Sequence, residues 1–418
     1  MQKITNPAPP ELVEALNQAA QKITRACGQV AGQWFTRLML NTWQTTMSPS
    51  DGGVFVITGD IPAMWLRDSS AQLLPFLRFT SLPVVARTVS AVIRQQWQFI
   101  NIDPYANAFN ATASGAHFAA DDLDLSPQVW ERKYEIDSLA FPVRLAHRFW
   151  QLNGPAHLTP QVHQAAAKIV ALWRTEQDHE ERSPYRHVRP SEPVDTLARE
   201  GRGAPVAVTG MTWSGFRPSD DACTYGYNIP AQLMAVSACR MIAEFCEVWD
   251  DPALQESALQ LAREIETGVQ EHGIIDGVYA YEVDGLGNAL MADDANMPSL
   301  LSLPLVSDIP SSDPIYCATR ERVLSPANPY YYTGPYACGV GSPHTPKGYI
   351  WHIALACEGL TGSVDDAAQC LETILTTDGG TGWTHESFDP SDPNVFTREW
   401  FSWSNSMACE LMLHLAHN

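Results

Sequence analysis

"TGMTWSGFRPSDDACTYGYNIPAQLMAVSACRMIAEFC" (209–246) joins two kinds of chain in one stretch. Its first half is polar and aromatic: Thr212, Trp213, Ser214, Arg217, Ser219 and the adjacent carboxylates Asp220 and Asp221 crowd around glycine and proline. From Tyr227 onward the residues turn apolar with helical spacing, which predicts a helix over 227–248. A loop loaded with carboxylates, an arginine and rings therefore empties into a core-type helix. Such a junction is either a helix start or a place where a polar ligand is handled.

The same junction recurs along the chain. "PELVEALNQAAQKITRAC" (10–27) starts with proline at a first helical turn and repeats apolar residues at Leu12, Leu16, Ala19, Ile23 and Ala26. Helical patterns follow over 31–44, 69–80, 83–100, 136–152, 160–176, 252–271, 346–360, 364–376 and 403–416, with short strand patterns at 53–60 and 277–285. Roughly twelve helices without sheet-type alternation suit either a closed toroid of helical hairpins, the (α/α)6 barrel, or an open α-solenoid. Trp, Asp, Arg and His gather at loop–helix junctions throughout, and a closed ring brings such junctions to one mouth. The expectation is thus an all-α (α/α)6 barrel with short strands in its loops. No linker or low-complexity stretch divides residues 1–418, so a single domain is expected.

Composition narrows the partners. The formal charge is −21, from 47 acidic and 26 basic residues, a surface that repels nucleic acid and anionic lipid. A neutral ligand is not excluded by that field, and 13 Trp and 13 Tyr provide flat faces for one. No apolar stretch has signal-peptide or membrane-span length, so neither secretion nor a membrane is expected. Nine cysteines form no CxxC and sit mostly in helical patterns; reduced, largely buried thiols in a cytoplasmic protein are expected.

Four further stretches carry polar chemistry. In "GDIPAMWLRDSSAQLLPFL" (59–77), Asp68 and Ser69 read as helix caps, while Trp65, Arg67 and Asp68 together offer a ring face, a fork of donors and an acceptor suited to a polyol. In "ERKYEIDSLAFP" (131–142), Glu135 and Asp137 precede an apolar run; a cap is the simplest role for Asp137 and a ligand contact the second. "GVGSPHTPKGYIWHIALAC" (339–357) presents His344 and Lys347 on a proline-stiffened turn. "GGTGWTHESFDPSDPNVFTREWFSWSNSMACELML" (379–413) sets Glu386 beside His385 and follows it with Arg398, Glu399, Trp400 and Trp403. There is no HExxH, no Cys/His ligand spacing, no GxSxG and no phosphate-cradling glycine loop, so neither a metal nor another cofactor is expected. What remains is a pair of carboxyl groups, one at 219–221 and one at Glu386, each near Trp and Arg. That is the equipment glycoside hydrolysis needs: one acid to protonate the departing oxygen, and one base or nucleophile.

The blocks "TGDIPAMWLRDS", "KYEIDS", "TGMTWSGFRPSDDAC", "GSPHTPKGYIW" and "HESF…FTREWFSWSN" resemble, in order and over nearly the whole chain, those of glycoside hydrolase family 125, the metal-independent exo-α-1,6-mannosidases. The resemblance implies an (α/α)6 barrel that removes terminal α-1,6-linked mannose with inversion from a manno-oligosaccharide or N-glycan-derived substrate. It makes Asp220 the general acid and Glu386 the general base, with Asp221 and Glu399 as their neighbouring rivals. Trp65, Arg67 and Asp68 would grip the terminal mannose, with Asp137, His344, Lys347 and Arg398 as further substrate contacts. An acid of this kind must hold its proton near neutrality, which burial or a neighbouring carboxylate would provide; Asp221 is the expected neighbour. Another (α/α)6 glycosidase, glucosidase- or trehalase-like, is the alternative activity, and a non-catalytic carbohydrate-binding protein the alternative class.

Overall fold

Helix starts in this chain follow from local chemistry. Pro10 opens α1 (Pro10–Cys27), where its missing N–H is one that a helix start leaves unused, and Leu12, Leu16 and Ile23 form the buried stripe. Gly28, at a φ of 92°, ends it and lets the chain turn into α2 (Gln29–Asn41). Ten more helices of eight residues or longer follow among the residues described by this computed structural model, 3–119, 125–192 and 195–417. They are α3 (Leu66–Leu73), α4 (Pro83–Ile102), α5 (Ile136–Asn153), α6 (Pro160–Glu176), α7 (Ile229–Trp249) and α8 (Pro252–His272). The rest are α9 (Pro314–Val323), α10 (His352–Thr361), α11 (Val364–Thr376) and α12 (Ser402–Leu415). Side-chain caps fix several starts: Asn228 Oδ1 accepts from Ala231 N at α7, Asp251 Oδ1 from Leu254 N at α8, and Ser363 with Asp366 forms a capping box at α11.

Packing sorts these helices into two layers. α3 lies against α5, α5 against α7, α7 against the short turn Leu303–Val306, that turn against α10, α10 against α12, and α12 back against α3. Partners cover this circuit from outside: α4 on α5, α8 on α7, α11 on α10, and the α1–α2 pair on α12. The buried apolar residues form one main cluster running from Leu12 to Leu413, with a small satellite around Trp65. α7 is long and apolar enough to cross a membrane, yet 83% of its apolar window is buried in the protein, which is how a core helix reads.

Short antiparallel strands tie the starts of the inner helices to their loops. Met64–Trp65, Tyr227–Asn228 and Ile350–Trp351 immediately precede α3, α7 and α10, and Trp65 pairs with Ala108, Asn228 with Glu282, and Trp351 with Ser387. Several sequence boundaries shift. The helix expected over 69–80 begins at Leu66, so Asp68 and Ser69 lie inside its first turn and neither caps it; it stops at Leu73 because Pro75 starts a 3-10 turn. The helix expected over 31–44 ends at Asn41 and runs on as a π-turn over Thr42–Thr46. That expected from 346 begins at His352, after the proline-bearing turn. All nine cysteines are free; Cys317 and Cys338 are exposed rather than buried.

Candidate active site

The inner segments other than α5 each bring residues at or just before their starts to one pocket. α3 brings Trp65, Arg67 and Asp68; the loop before α7 brings Ser219 and Asp220; the loop before Leu303–Val306 brings Asn296. The turn before α10 brings His344 and Trp351, and the segment before α12 brings Glu386, Arg398 and Phe401, while Thr58 and Ile61 close the wall. Converging helix N-termini make this a region of positive backbone potential, which favours the carboxylates collected there.

Asp220 sits on a tight hairpin. Phe216 bridges Ala222, Arg217 N donates to Asp221 O, and Asp220 itself takes a φ of 69°, a left-handed conformation that aspartate tolerates better than most residues. Its neighbours pin the turn: Ser219 Oγ donates to the buried Asp294 (2.6 Å), and Asn296 Nδ2 donates to Pro218 O (2.7 Å). Behind the hairpin lies Arg67, 2% exposed, with four carboxyl groups around one guanidinium. Nη1 donates to Glu135 Oε2 (2.7 Å) and Asp137 Oδ2 (3.0 Å), Nη2 donates to Asp220 Oδ1 (3.3 Å), and Asp68 lies 3.6 Å from Nε. Lys133 Nζ donates to the backbone oxygen of Asp220 (2.8 Å). Burial raises the Asp220 carboxyl, but Arg67 and Lys133 outweigh it and hold the group below the usual range. Burial wins at Glu135, which is raised well above its usual value, and at Asp68, pushed up to about 6 against Arg67 and Arg398.

Glu386 occupies another part of the wall. Its Oε2 accepts from Thr397 Oγ1 (3.0 Å) and its Oε1 from Arg398 Nη1 (3.4 Å). Arg398 is held in turn by Asp60 and lies 4.2 Å from the Phe401 ring centre. The strand pairing of Ser387 with Trp351 fixes the backbone next to Glu386. His385 points the other way: it is fully buried, stacks on Phe396 at 3.7 Å and contacts the carbonyl of Asp378. Asp220 and Glu386, each beside its own arginine, thus meet one ring-lined pocket, with Asp68 as a third carboxyl group on its wall.

The sequence model of the metal-independent α-mannosidases, glycoside hydrolase family 125, matches residues 29–413. The chain belongs to this family. It is therefore a glycoside hydrolase of the α-mannosidase class. A Streptococcus pneumoniae member of the metal-independent α-mannosidases, solved in a non-productive complex with α-1,6-mannobiose, is 40% identical and superposes with a TM-score of 0.95 over 98% of this chain and 99% of that one. The meiotically up-regulated gene 157 protein of Schizosaccharomyces pombe is 36% identical, over 91% of this chain and 81% of that protein. A glucoamylase from Saccharomycopsis fibuligera shares the fold at a TM-score of 0.56 and 11% identity. Among the described residues of this α-mannosidase, no three His, Cys, Asp or Glu side chains are grouped to hold a metal ion.

Of the residues expected at the site, Trp65, Arg67, Asp68, Asp220, His344, Glu386 and Arg398 line the α-mannosidase pocket. Asp137 does not. It lies fully buried behind Arg67, as the second residue of α5, and caps nothing; its carboxylate serves the guanidinium. Lys347 does not line it either, because the turn after His344 points that side chain into solvent. Asp221 neither caps α7, whose cap is Asn228, nor faces Asp220 as the expected second carboxylate; its Oδ1 meets His344 Nδ1 at 2.9 Å. Glu399 is exposed and outside the pocket. The carboxyl group beside Asp220 is Glu135, about 85 residues away in sequence, and no local pattern linked the two. Asn296, Trp351 and Phe401 were also missed. Trp351 and Phe401 stand inside blocks already singled out, whereas Asn296 comes from a stretch that carried no signal.

Proposed function

We propose that this α-mannosidase is an exo-acting hydrolase that removes a terminal non-reducing α-1,6-linked mannose with inversion, Asp220 being the general acid and Glu386 the general base. The observation that carries the reading is that these two carboxyl groups, far apart in sequence, line one pocket. The complex of the Streptococcus pneumoniae relative with α-1,6-mannobiose supports the linkage. The closed circuit of inner helices supports an (α/α)6 barrel as the scaffold.

Inversion is a single displacement. The acid protonates the departing glycosidic oxygen while the base takes a proton from the water that attacks C1 from the opposite face. Such a pair stands roughly 6.5–9.5 Å apart to leave room for that water. Trp65, whose buried indole N–H has no partner among the described residues, Asp68 and Arg398 supply a ring face, acceptors and donors for the sugar hydroxyls. Short manno-oligosaccharides met in the cytoplasm are the proposed substrates.

The test is an NMR time course on α-1,6-mannobiose with the wild type, Asp220→Ala and Glu386→Ala. The expected result is β-mannose as the first product of the wild type, with each variant slowed by about 10³-fold or more. First release of α-mannose refutes inversion, and wild-type turnover by either variant removes that residue from its role.

A further inference from the structure

Arg67 is surrounded by more negative charge than it can neutralise. Four carboxyl groups lie within 3.6 Å of one guanidinium, in a region where all but Asp220 are almost fully buried. Lys133 offsets only part of this charge, at Asp220, because its ammonium also faces Asp195 (3.2 Å) and Glu131 (3.9 Å). Four ionised carboxylates around one cation cannot persist away from water, so the cluster retains protons at neutral pH.

The hydrogen bonds indicate where one of them sits. Glu135 Oε2 accepts from Arg67 Nη1 and from Ser138 Oγ (2.7 Å), so that oxygen is served by donors. Glu135 Oε1 is buried and receives no donor among the described residues. A bare carboxylate oxygen there is costly, whereas a hydroxyl turned to the Asp220 carboxylate satisfies both groups. Exposure divides the pair: the Glu135 side chain is wholly buried, while that of Asp220 is 27% exposed and faces the pocket.

We propose that Glu135 is a positioning residue that shares one proton with Asp220 and passes it forward when the substrate binds. This rests on Asp220 being the general acid. In the resting pair the proton is on Glu135 Oε1. When a mannoside displaces water from Asp220, the Oε1–H bond breaks and an O–H bond forms on Asp220. Asp220 then gives that proton to the glycosidic oxygen, which keeps the electron pair of the breaking C1–O bond. Water adds to C1 and yields its proton to Glu386. Both carboxylates of the pair are left ionised, and solvent returns one proton to the pair as Glu386 releases its own.

The device solves a conflict in the site. Arg67 and Lys133 make Asp220 alone too weak a base to carry a proton at neutral pH. His344 adds to this: burial lowers it, but Asp221, Asp220 and Glu386 raise it to about 9, so it too is a cation near the acid. Asp220 and Asp137 both oppose ionisation of Glu135, and the half-buried Cys223 thiol is raised by desolvation, by Glu282 and, least, by Glu135 itself. A pair that holds one proton together keeps a constant fraction of protonated Asp220 until the pair itself titrates.

The test compares kcat against pH for wild type, Glu135→Gln and Asp220→Asn, on α-1,6-mannobiose and on 2,4-dinitrophenyl α-mannoside, whose leaving group needs no acid. Glu135→Gln is expected to lower kcat on mannobiose by about 10–100-fold at pH 7. Its log kcat should fall by about one per pH unit where the wild type is flat, and its kcat on the dinitrophenyl substrate should fall far less than on mannobiose. A flat Glu135→Gln profile, or an equal loss on both substrates, overturns the proposal. Asp220→Asn checks the underlying reading separately: a far larger loss on mannobiose than on the dinitrophenyl substrate upholds it, and retained mannobiose turnover overturns both. If Glu135→Gln does not fold, Ser138→Ala carries the test. Without the serine hydroxyl, Glu135 holds its proton more tightly and the alkaline limb should move to higher pH; an unmoved limb overturns the proposal.

Discussion

Replacing Arg67 with methionine removes the only cation among the described residues in direct contact with Glu135 and Asp137 while keeping much of the side-chain volume over the Trp403 ring, which the guanidinium carbon approaches to 5.7 Å. Removing one partner of a buried ion pair typically costs about 3–5 kcal/mol, because the other charge is left uncompensated. Unfolding entropy of ~2.1 cal/mol/K per residue over 418 residues converts that loss into a Tm lowered by about 3–6 °C. The loss should depend on pH with a definite sign. Without Arg67 the folded-state pKa values of Asp68, Glu135 and Asp137, already raised by burial, rise further. A carboxyl group raised in the folded state contributes stability at pH values below its unfolded pKa and loses it as pH climbs through the folded value. Arg67→Met should therefore lie closest to the wild type near pH 5 and farthest from it near pH 8. Differential scanning calorimetry across that range measures it. A destabilisation that is constant with pH, or largest at pH 5, would refute the account of Arg67 as the counter-charge of a crowded carboxyl cluster. Arg67→Lys should not restore the wild type, since one fork reaches Glu135 and Asp137 through Nη1 and Asp220 through Nη2.

Two further outcomes follow from groups on either side of this cluster. Asp293 is wholly buried and accepts from Leu300 N (2.7 Å) and Leu301 N (3.0 Å), yet burial pushes it up to about 8. Its stabilising share is present in acid and lost as pH rises through that value, so Asp293→Asn should flatten the decline of Tm between pH 5 and 9 by about 2–5 °C; an unchanged slope counts against it. At the mouth, Lys347 is exposed and outside the pocket whereas Arg398 holds Glu386, so Lys347→Ala should change kcat/KM by less than about twofold and Arg398→Ala should lower kcat by about 10²-fold. A tenfold rise in KM for Lys347→Ala would place that lysine on the second sugar.

Much of the scaffold was legible because it depends on local pattern. The 3.6-residue apolar spacing of 10–27 and 252–271 and the prolines at their first turns determine helices whatever surrounds them, and α1 and α8 fall within a residue of the expected bounds. Where a helix start also carries ligand chemistry, the local rule fails. Asp68 and Asp137 look like caps, yet both are inside their helices with carboxylates turned to Arg67, because a buried guanidinium needs counter-charges more than those helix ends need caps.

By itself, then, the sequence determined the helices, the polar–aromatic loops between them and the family. It brought out Asp220 and Glu386 because each stands in a dense block of unusual composition. Only the tertiary structure decided which of two adjacent aspartates faces the pocket, that Glu399 and Lys347 face solvent, and that Glu135 lies next to Asp220. Those outcomes depend on a φ of 69° in one hairpin and on which inner helix starts stand side by side in the ring. Charge interactions among buried groups act across a few ångströms of space and are indifferent to separation along the chain, so no spacing in the sequence encodes them.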